Sequence, residues 1–116
     1  MTKTPEIVVI GLGYVGLPLA VALANKFTVT GFDVNAERIA ELNAGQDRTG
    51  EIKSGVLTAS SLSLTLDTAD IGGSDIYIVT VPTPVDADNV PDLSPVRAAC
   101  KTVGAAIAKG AIVVFE

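Results

Sequence analysis

Short apolar runs and amphipathic stretches alternate along this chain, and most of the apolar runs show no polar alternation. "EIVVI" (Glu6–Ile10) is β-branched and runs straight into glycine, which predicts a buried strand. Tyr14–Asn25 is apolar on nearly every side, as a helix packed on a sheet is, and "FTVTGF" (Phe27–Phe32) predicts a second strand. Asn35–Ala44 reads as a second helix, with Asn35 as N-cap, Ile39 and Leu42 on one face and Gly45 as its stop. Gln46–Ser61 is charged and rich in Gly and Ser, predicting a loop with one helical turn. Leu62–Leu66 is a weak third strand, and "IYIVTV" (Ile76–Val81) a strong buried fourth. A proline-rich loop, Pro82–Asp92, follows. Ser94 as N-cap, Pro95 at the first helical position and Gly110 as stop then bracket a long helix, and "AIVVF" (Ala111–Phe115) predicts a last buried strand.

Continuous apolar strands alternating with helices predict an α/β fold, a doubly wound parallel sheet covered on both faces, of the Rossmann dinucleotide-binding type. A complete sheet of that type has about six strands, and this sequence stops on the fifth. The expectation is one domain, residues 1–116, cut from a longer protein whose substrate domain lies outside it.

Composition narrows the chemistry. No apolar run approaches the ~20 residues of a membrane span, and the start of the chain has no signal-peptide pattern. With one cysteine, Cys100, no internal disulfide is possible, so the expected setting is reducing and cytoplasmic. Net charge is −5, and the eight basic residues are scattered, which argues against nucleic acid and anionic membranes as partners. There is no histidine, the commonest general base and metal ligand, so the expectation is a domain that binds and holds no metal. Cys100 is expected on the packed face of its helix as a small hydrophobe, and Asp86, Asp88 and Asp92 as solvated, since their spacing lacks the marks of a calcium loop.

The glycines carry the most specific signal. Gly11, Gly13 and Gly16 follow a strand and open a helix. In that context the first makes the tight turn, the second lets backbone approach a pyrophosphate, and the third lets the helix sit close to the strand. Asp33 ends the next strand at roughly the 20-residue spacing from which a carboxylate accepts hydrogen bonds from adenosine ribose hydroxyls. Spacing alone leaves Arg38 between a contact at the adenine end and a surface pairing with Glu41 or Glu37. It also leaves Val81–Asp92 between a cleft wall, with the Thr83 hydroxyl turned inward, and an ordinary Pro/Asp loop.

"IGLGYVGLPLA", "GFDVNAERIAELNAG", "DRTGEI", "IYIVTVPTPVD" and "PDLSPV…KGAIVVFE" together resemble the N-terminal domain of the UDP-glucose/UDP-N-acetylmannosamine 6-dehydrogenase family, over essentially the whole chain. "DRTGEI" is similar to the branch acting on UDP-N-acetylhexosamines, including the Vi-polysaccharide type. The resemblance implies an NAD-dependent oxidation of a sugar C6 alcohol to a uronate, with two NAD per turnover, for polysaccharide biosynthesis. It implies that Gly11, Leu12, Gly13, Tyr14, Val15 and Gly16 cradle the pyrophosphate and that Asp33 holds the ribose. Arg38 would contact the adenosine end, and Val81, Pro82 and Thr83 would line the nicotinamide half. The family's thiol nucleophile, lysine and sugar-binding residues come from later in its chains, so no catalytic residue is expected here. The full-length parent is expected to be a homo-oligomer acting on a UDP-sugar. A hydroxyacid dehydrogenase domain of the same fold and a non-catalytic nucleotide-sensing domain are the competing readings.

Overall fold

The computed structural model describes residues 5–116. Five parallel strands form one sheet: β1 (Glu6–Ile10), β2 (Thr28–Phe32), β3 (Ser63–Thr65), β4 (Ile76–Val79) and β5 (Ile112–Phe115), in the order β3-β2-β1-β4-β5. Side chains alternate across a pleated strand, so a strand buried on both faces must be apolar at every position. β1 shows this directly. Ile7 and Val9 point into one core with Val29, and Val8 and Ile10 into the other with Tyr77 and Val79.

The first core is closed by α1 (Gly16–Ala24), α2 (Ala36–Asn43) and α3 (Ser54–Ala59), which bring in Leu17, Ile39, Leu42 and Leu57. The second is closed by α4 (Ser94–Ala106) and a 3-10 turn at Thr68–Ile71, through Ala99, Val103 and Ile71. Burying each of the larger aliphatic side chains contributes roughly 1.5–3 kcal/mol. Tyr77 is fully buried, and its hydroxyl donates to the Ile71 carbonyl at 2.5 Å and accepts from Ser74 N–H at 3.2 Å, tying the 3-10 turn to β4.

Several elements differ from the sequence expectations. Asn35 caps α2 as expected, accepting from the N–H groups of Glu37 and Arg38. Ser94 does not cap α4. Leu93 holds that position without a side-chain bond, and the Asp92 carboxylate one residue upstream accepts from Ser94 N–H instead. α4 ends at Ala106 rather than running to Gly110, which turns the chain into β5 with φ +91°. The single turn expected within Gln46–Ser61 is α3, and the 3-10 turn was not foreseen. β5 is no buried strand: it is the sheet edge, and Ile112 and Phe115, which project from its two faces, are more than half exposed. Cys100 is exposed, on the solvent side of α4 and not its packed face.

Candidate functional site: the glycine turn and the cleft at the strand ends

The chain leaves β1 toward β2 on one side of the sheet and reaches β4 and β5 on the other. Strand order reverses between β1 and β4, and in open parallel sheets the crevice at that point, outside the carboxyl ends of the strands, is where ligands bind. A cleft of about 340 Å³ lies there. Gly11, Asp33, Val34, Val81 and Pro82 form its sheet side, and Pro95, Ala98 and Thr102 of α4 the other.

The glycine turn meets the cleft at Gly11. Gly11 has φ +95°, a conformation L side chains rarely adopt, and its N–H donates to the Phe32 carbonyl at 2.8 Å. A β-carbon on Gly16 would collide with the Gly11 carbonyl oxygen and with Thr80 Oγ1, so only glycine lets α1 start this close to β1 and β4. Gly13 is the opposite case: nothing lies within 4 Å of where its β-carbon would stand. Three residues on, α1 begins, and at a helix start N–H groups lack carbonyl partners and a partial positive charge collects. The N–H groups of Gly13, Tyr14, Val15 and Gly16 have no acceptor among the described residues. Bare backbone, unpaired amides and open space together make a cradle for phosphate oxygens.

Leu12 is held differently from its neighbours. Its side chain is fully buried, its N–H donates to Asp33 Oδ2 at 2.9 Å, and its carbonyl accepts from Arg38 Nε at 2.8 Å. No part of Leu12 is therefore free to meet a ligand, and the residue acts as the peg on which the turn hangs. The other oxygen of Asp33 accepts from Asn35 N–H at 2.9 Å, which fixes the carboxylate at the mouth of the cleft with lone pairs to spare.

Arg38 is not on a wet surface. It is buried, it pairs with Asp47 at 2.9 Å, and Glu41 lies at 3.5 Å. Glu37 is not a partner. One guanidinium nitrogen, NH2, is buried without a hydrogen-bond partner. The side chain thus supports the glycine turn from below. Asp47 lies in the "DRTGEI" loop. Burial alone would raise its pKa, but hydrogen bonds from Thr49, Arg38 and the amides of Ile52 and Thr49 outweigh that and hold it at about 2.

The remaining sequence-predicted residues fall in two groups. Val81 and Pro82 line the cleft, whereas Thr83 is exposed and stands outside its wall. Tyr14 and Val15 are exposed beside the unpaired amides, with no packing role for Tyr14. Sequence reasoning missed Thr80, whose hydroxyl donates to the Gly11 carbonyl at 2.7 Å and lies 3.1 Å from that of Ile10, clasping β4 to the turn. A lone hydroxyl in the otherwise apolar "IYIVTV" was the available signal. Asp86 and Asp92 spend their carboxylates on the turn at Asp88–Val90 and on the start of α4. Among the described residues no acidic or cysteine cluster could hold a metal ion, and no helix is long and apolar enough to cross a membrane.

Residues 5–116 match the family described as "UDP-glucose/GDP-mannose dehydrogenase family, NAD binding domain". The chain is 48% identical, over 98% of its length, to UDP-N-acetyl-D-glucosamine 6-dehydrogenase of Pseudomonas aeruginosa, and covers 27% of that protein. It superposes with a TM-score of 0.86 and 37% identity on the UDP-D-ManNAc dehydrogenase of Pyrococcus horikoshii, covering 96% of this chain and 28% of that one. A GDP-mannose dehydrogenase solved as a ternary complex gives a TM-score of 0.81 at 29% identity, covering 94% of this chain and 27% of that one. The chain thus spans about a quarter of the length of the relatives it matches. A match that runs from residue 5 to residue 116, on a chain with open space over Gly13 and a carboxylate in its cleft, leads to one conclusion: this chain belongs to the UDP-glucose/GDP-mannose dehydrogenase family, as its NAD-binding domain.

Proposed function

We propose that this chain is the cofactor-holding part of a nucleotide-sugar 6-dehydrogenase that oxidises the C6 alcohol of a UDP-N-acetylhexosamine to the uronate, for polysaccharide biosynthesis in the cytoplasm. The observation that carries the cofactor half is the open space over Gly13 beside unpaired amides, together with Asp33 in the lining of the cleft. The identity to a UDP-N-acetyl-D-glucosamine 6-dehydrogenase carries the substrate class.

In this reading the amides of Gly13, Tyr14, Val15 and Gly16 hold the pyrophosphate, and Gly11 shapes the turn that presents them. Leu12 and Arg38 hold that turn from beneath, Arg38 at the adenosine end, while Asp33 accepts from the ribose hydroxyls. Val81 and Pro82 wall the cleft, and Thr83 stands beyond them toward the nicotinamide half. NAD supplies a hydride acceptor, and taking an alcohol to a carboxylate removes four electrons, hence two NAD per sugar. Turnover is assigned to a longer parent, since the chain covers about a quarter of the relatives it matches, and that parent is taken to be a homo-oligomer.

Calorimetric titration of the chain with NAD, followed by incubation with UDP-N-acetylglucosamine and NAD, tests this. Saturable NAD binding without NADH formation is expected, and a parent protein should yield two NADH per uronate. NADH formation by the chain alone, or no NAD binding, would refute the assignment.

A further inference from the structure

Among the described residues, Arg38 is the one connection by side-chain hydrogen bond between the loop at residues 47–52 and the glycine turn. On the turn side, Leu12 is fixed at every polar atom and along its side chain, whose methyl groups fill the space a β-carbon on Gly31 would need. The direction of the Leu12 carbonyl sets the peptide plane shared with Gly13, and so where the Gly13 N–H points.

On the other side, the Asp47 side chain is fully inaccessible to solvent. Its Oδ1 accepts from Arg38, from Thr49 N–H at 3.0 Å and from Thr49 Oγ1 at 2.6 Å. Its Oδ2 accepts from the N–H groups of Glu51 and Ile52, each at 3.0 Å. The loop is therefore wrapped around one carboxylate, and that carboxylate spends one bond outside the loop, on Arg38. The alternative anion, Glu41, lies farther from Arg38 at 3.5 Å and is engaged by Arg48 at 2.6 Å. A long arginine side chain has many rotamers to lose. Asp47 is what confines this one.

We propose that Asp47 is a positioning residue for the dinucleotide: it fixes the Arg38 guanidinium on the Leu12 carbonyl and thereby aims the phosphate-binding amides, without lining the cleft itself. The inference rests on the NAD-binding reading of the glycine turn. The loop that carries "DRTGEI" then contributes to cofactor affinity through one carboxylate and one guanidinium in series.

The test is a double-mutant cycle read in NAD affinity and, separately, in thermal stability. Wild type, Asp47→Asn, Arg38→Met and the double variant are titrated with NAD by calorimetry at a temperature where circular dichroism shows each folded. Each single variant is expected to weaken NAD roughly tenfold, equivalent to about 1.4 kcal/mol. The double variant should bind no more weakly than Arg38→Met, because both changes cut one connection. Its unfolding temperature should nevertheless fall below that of Arg38→Met, since Asp47 also closes its own loop. If Asp47→Asn costs the same affinity with or without Arg38, or costs none, the proposal is wrong. Should Asp47→Asn fail to fold, Arg38→Lys decides. Lysine keeps a charge near Asp47 but lacks the separate Nε donor that holds the Leu12 carbonyl while the far end of the guanidinium holds Asp47, so its NAD affinity should fall as for Arg38→Met. Full affinity in Arg38→Lys would overturn the coupling. A wild type that does not bind NAD fails the parent reading instead, before any variant is compared.

Discussion

Valine at Gly13 and alanine at Gly16 should produce opposite phenotypes from positions in one turn. No atom lies within 4 Å of a β-carbon on Gly13, and its φ is not in the left-handed region. Gly13→Val should therefore change unfolding stability by less than about 1 kcal/mol. On the proposed NAD-binding reading, the valine would stand where phosphate oxygens meet the amides. Losing two charge-assisted hydrogen bonds at about 1.5–3 kcal/mol each weakens NAD by roughly 3–6 kcal/mol, a factor of about 10² to 10⁴. Gly16→Ala has no such room. Its β-carbon meets the Gly11 carbonyl oxygen, which cannot yield easily because Thr80 Oγ1 donates to it at 2.7 Å. Helix α1 must shift off the sheet, at a cost of about 3 kcal/mol, the upper end of ordinary overpacking. Urea midpoints by circular dichroism and NAD titration by calorimetry separate the two effects. Gly13→Val binding NAD within about threefold of wild type, or losing as much stability as Gly16→Ala, would refute the division between ligand space and packing space.

Further outcomes follow from charge and exposure. NAD should be bound at least roughly tenfold more tightly than NADP, because a 2′-phosphate about 4 Å from Asp33 meets a repulsion of about 4 kcal/mol per charge pair before screening; Asp33→Asn should narrow the ratio, and equal affinities in the wild type would remove Asp33 from that role. The Asp47 carboxyl titrates at about 2 in the folded chain against 3.8 normally, so its contribution is present above pH 3.8 and disappears as pH falls from there through 2. The stability gap between wild type and Asp47→Asn, from urea unfolding, should accordingly shrink by about 2 kcal/mol over that window, and a gap independent of pH would contradict the assignment. The exposed Cys100 thiol should react with a disulfide reagent at nearly the same rate in folded and urea-unfolded protein, with NAD affinity unchanged; strong protection in the folded state would place it inside.

Much of this was legible in the sequence. The continuous apolar character of "EIVVI" and "IYIVTV" identifies strands buried on both faces, because only a doubly covered parallel sheet needs it. "AIVVF" has the same composition and yet forms an exposed edge, since composition does not record how many neighbours a strand has. Gly11, Gly13 and Gly16 read correctly as one turn, but not the contrast between them, which depends on where the Gly11 carbonyl and Thr80 sit. Arg38 illustrates the harder limit. Its spacing from Glu41 was visible and pointed to the surface, whereas its burial depends on Asp47, nine residues away around a loop. Ser94 was a reasonable cap by residue type, and Asp92 beside it was an equally good acceptor; the backbone geometry at Leu93 decided between them.

The hydrogen bond from Leu12 N–H to Asp33 matters to anyone who wishes to exchange one coenzyme for another. Swapping the acid that ends β2 for a neutral or basic residue is the obvious first move in such redesign. Here the same carboxylate that would exclude a 2′-phosphate also tethers the turn proposed to hold the pyrophosphate. On the proposed reading, selectivity and grip are wired to one side chain, and a variant chosen for tolerance of NADP should give up hold on both dinucleotides. Asparagine retains one acceptor oxygen and so keeps the tether within reach, whereas alanine or arginine discards it. A redesign that succeeds must supply Leu12 with a new acceptor before it supplies the phosphate with a new cation.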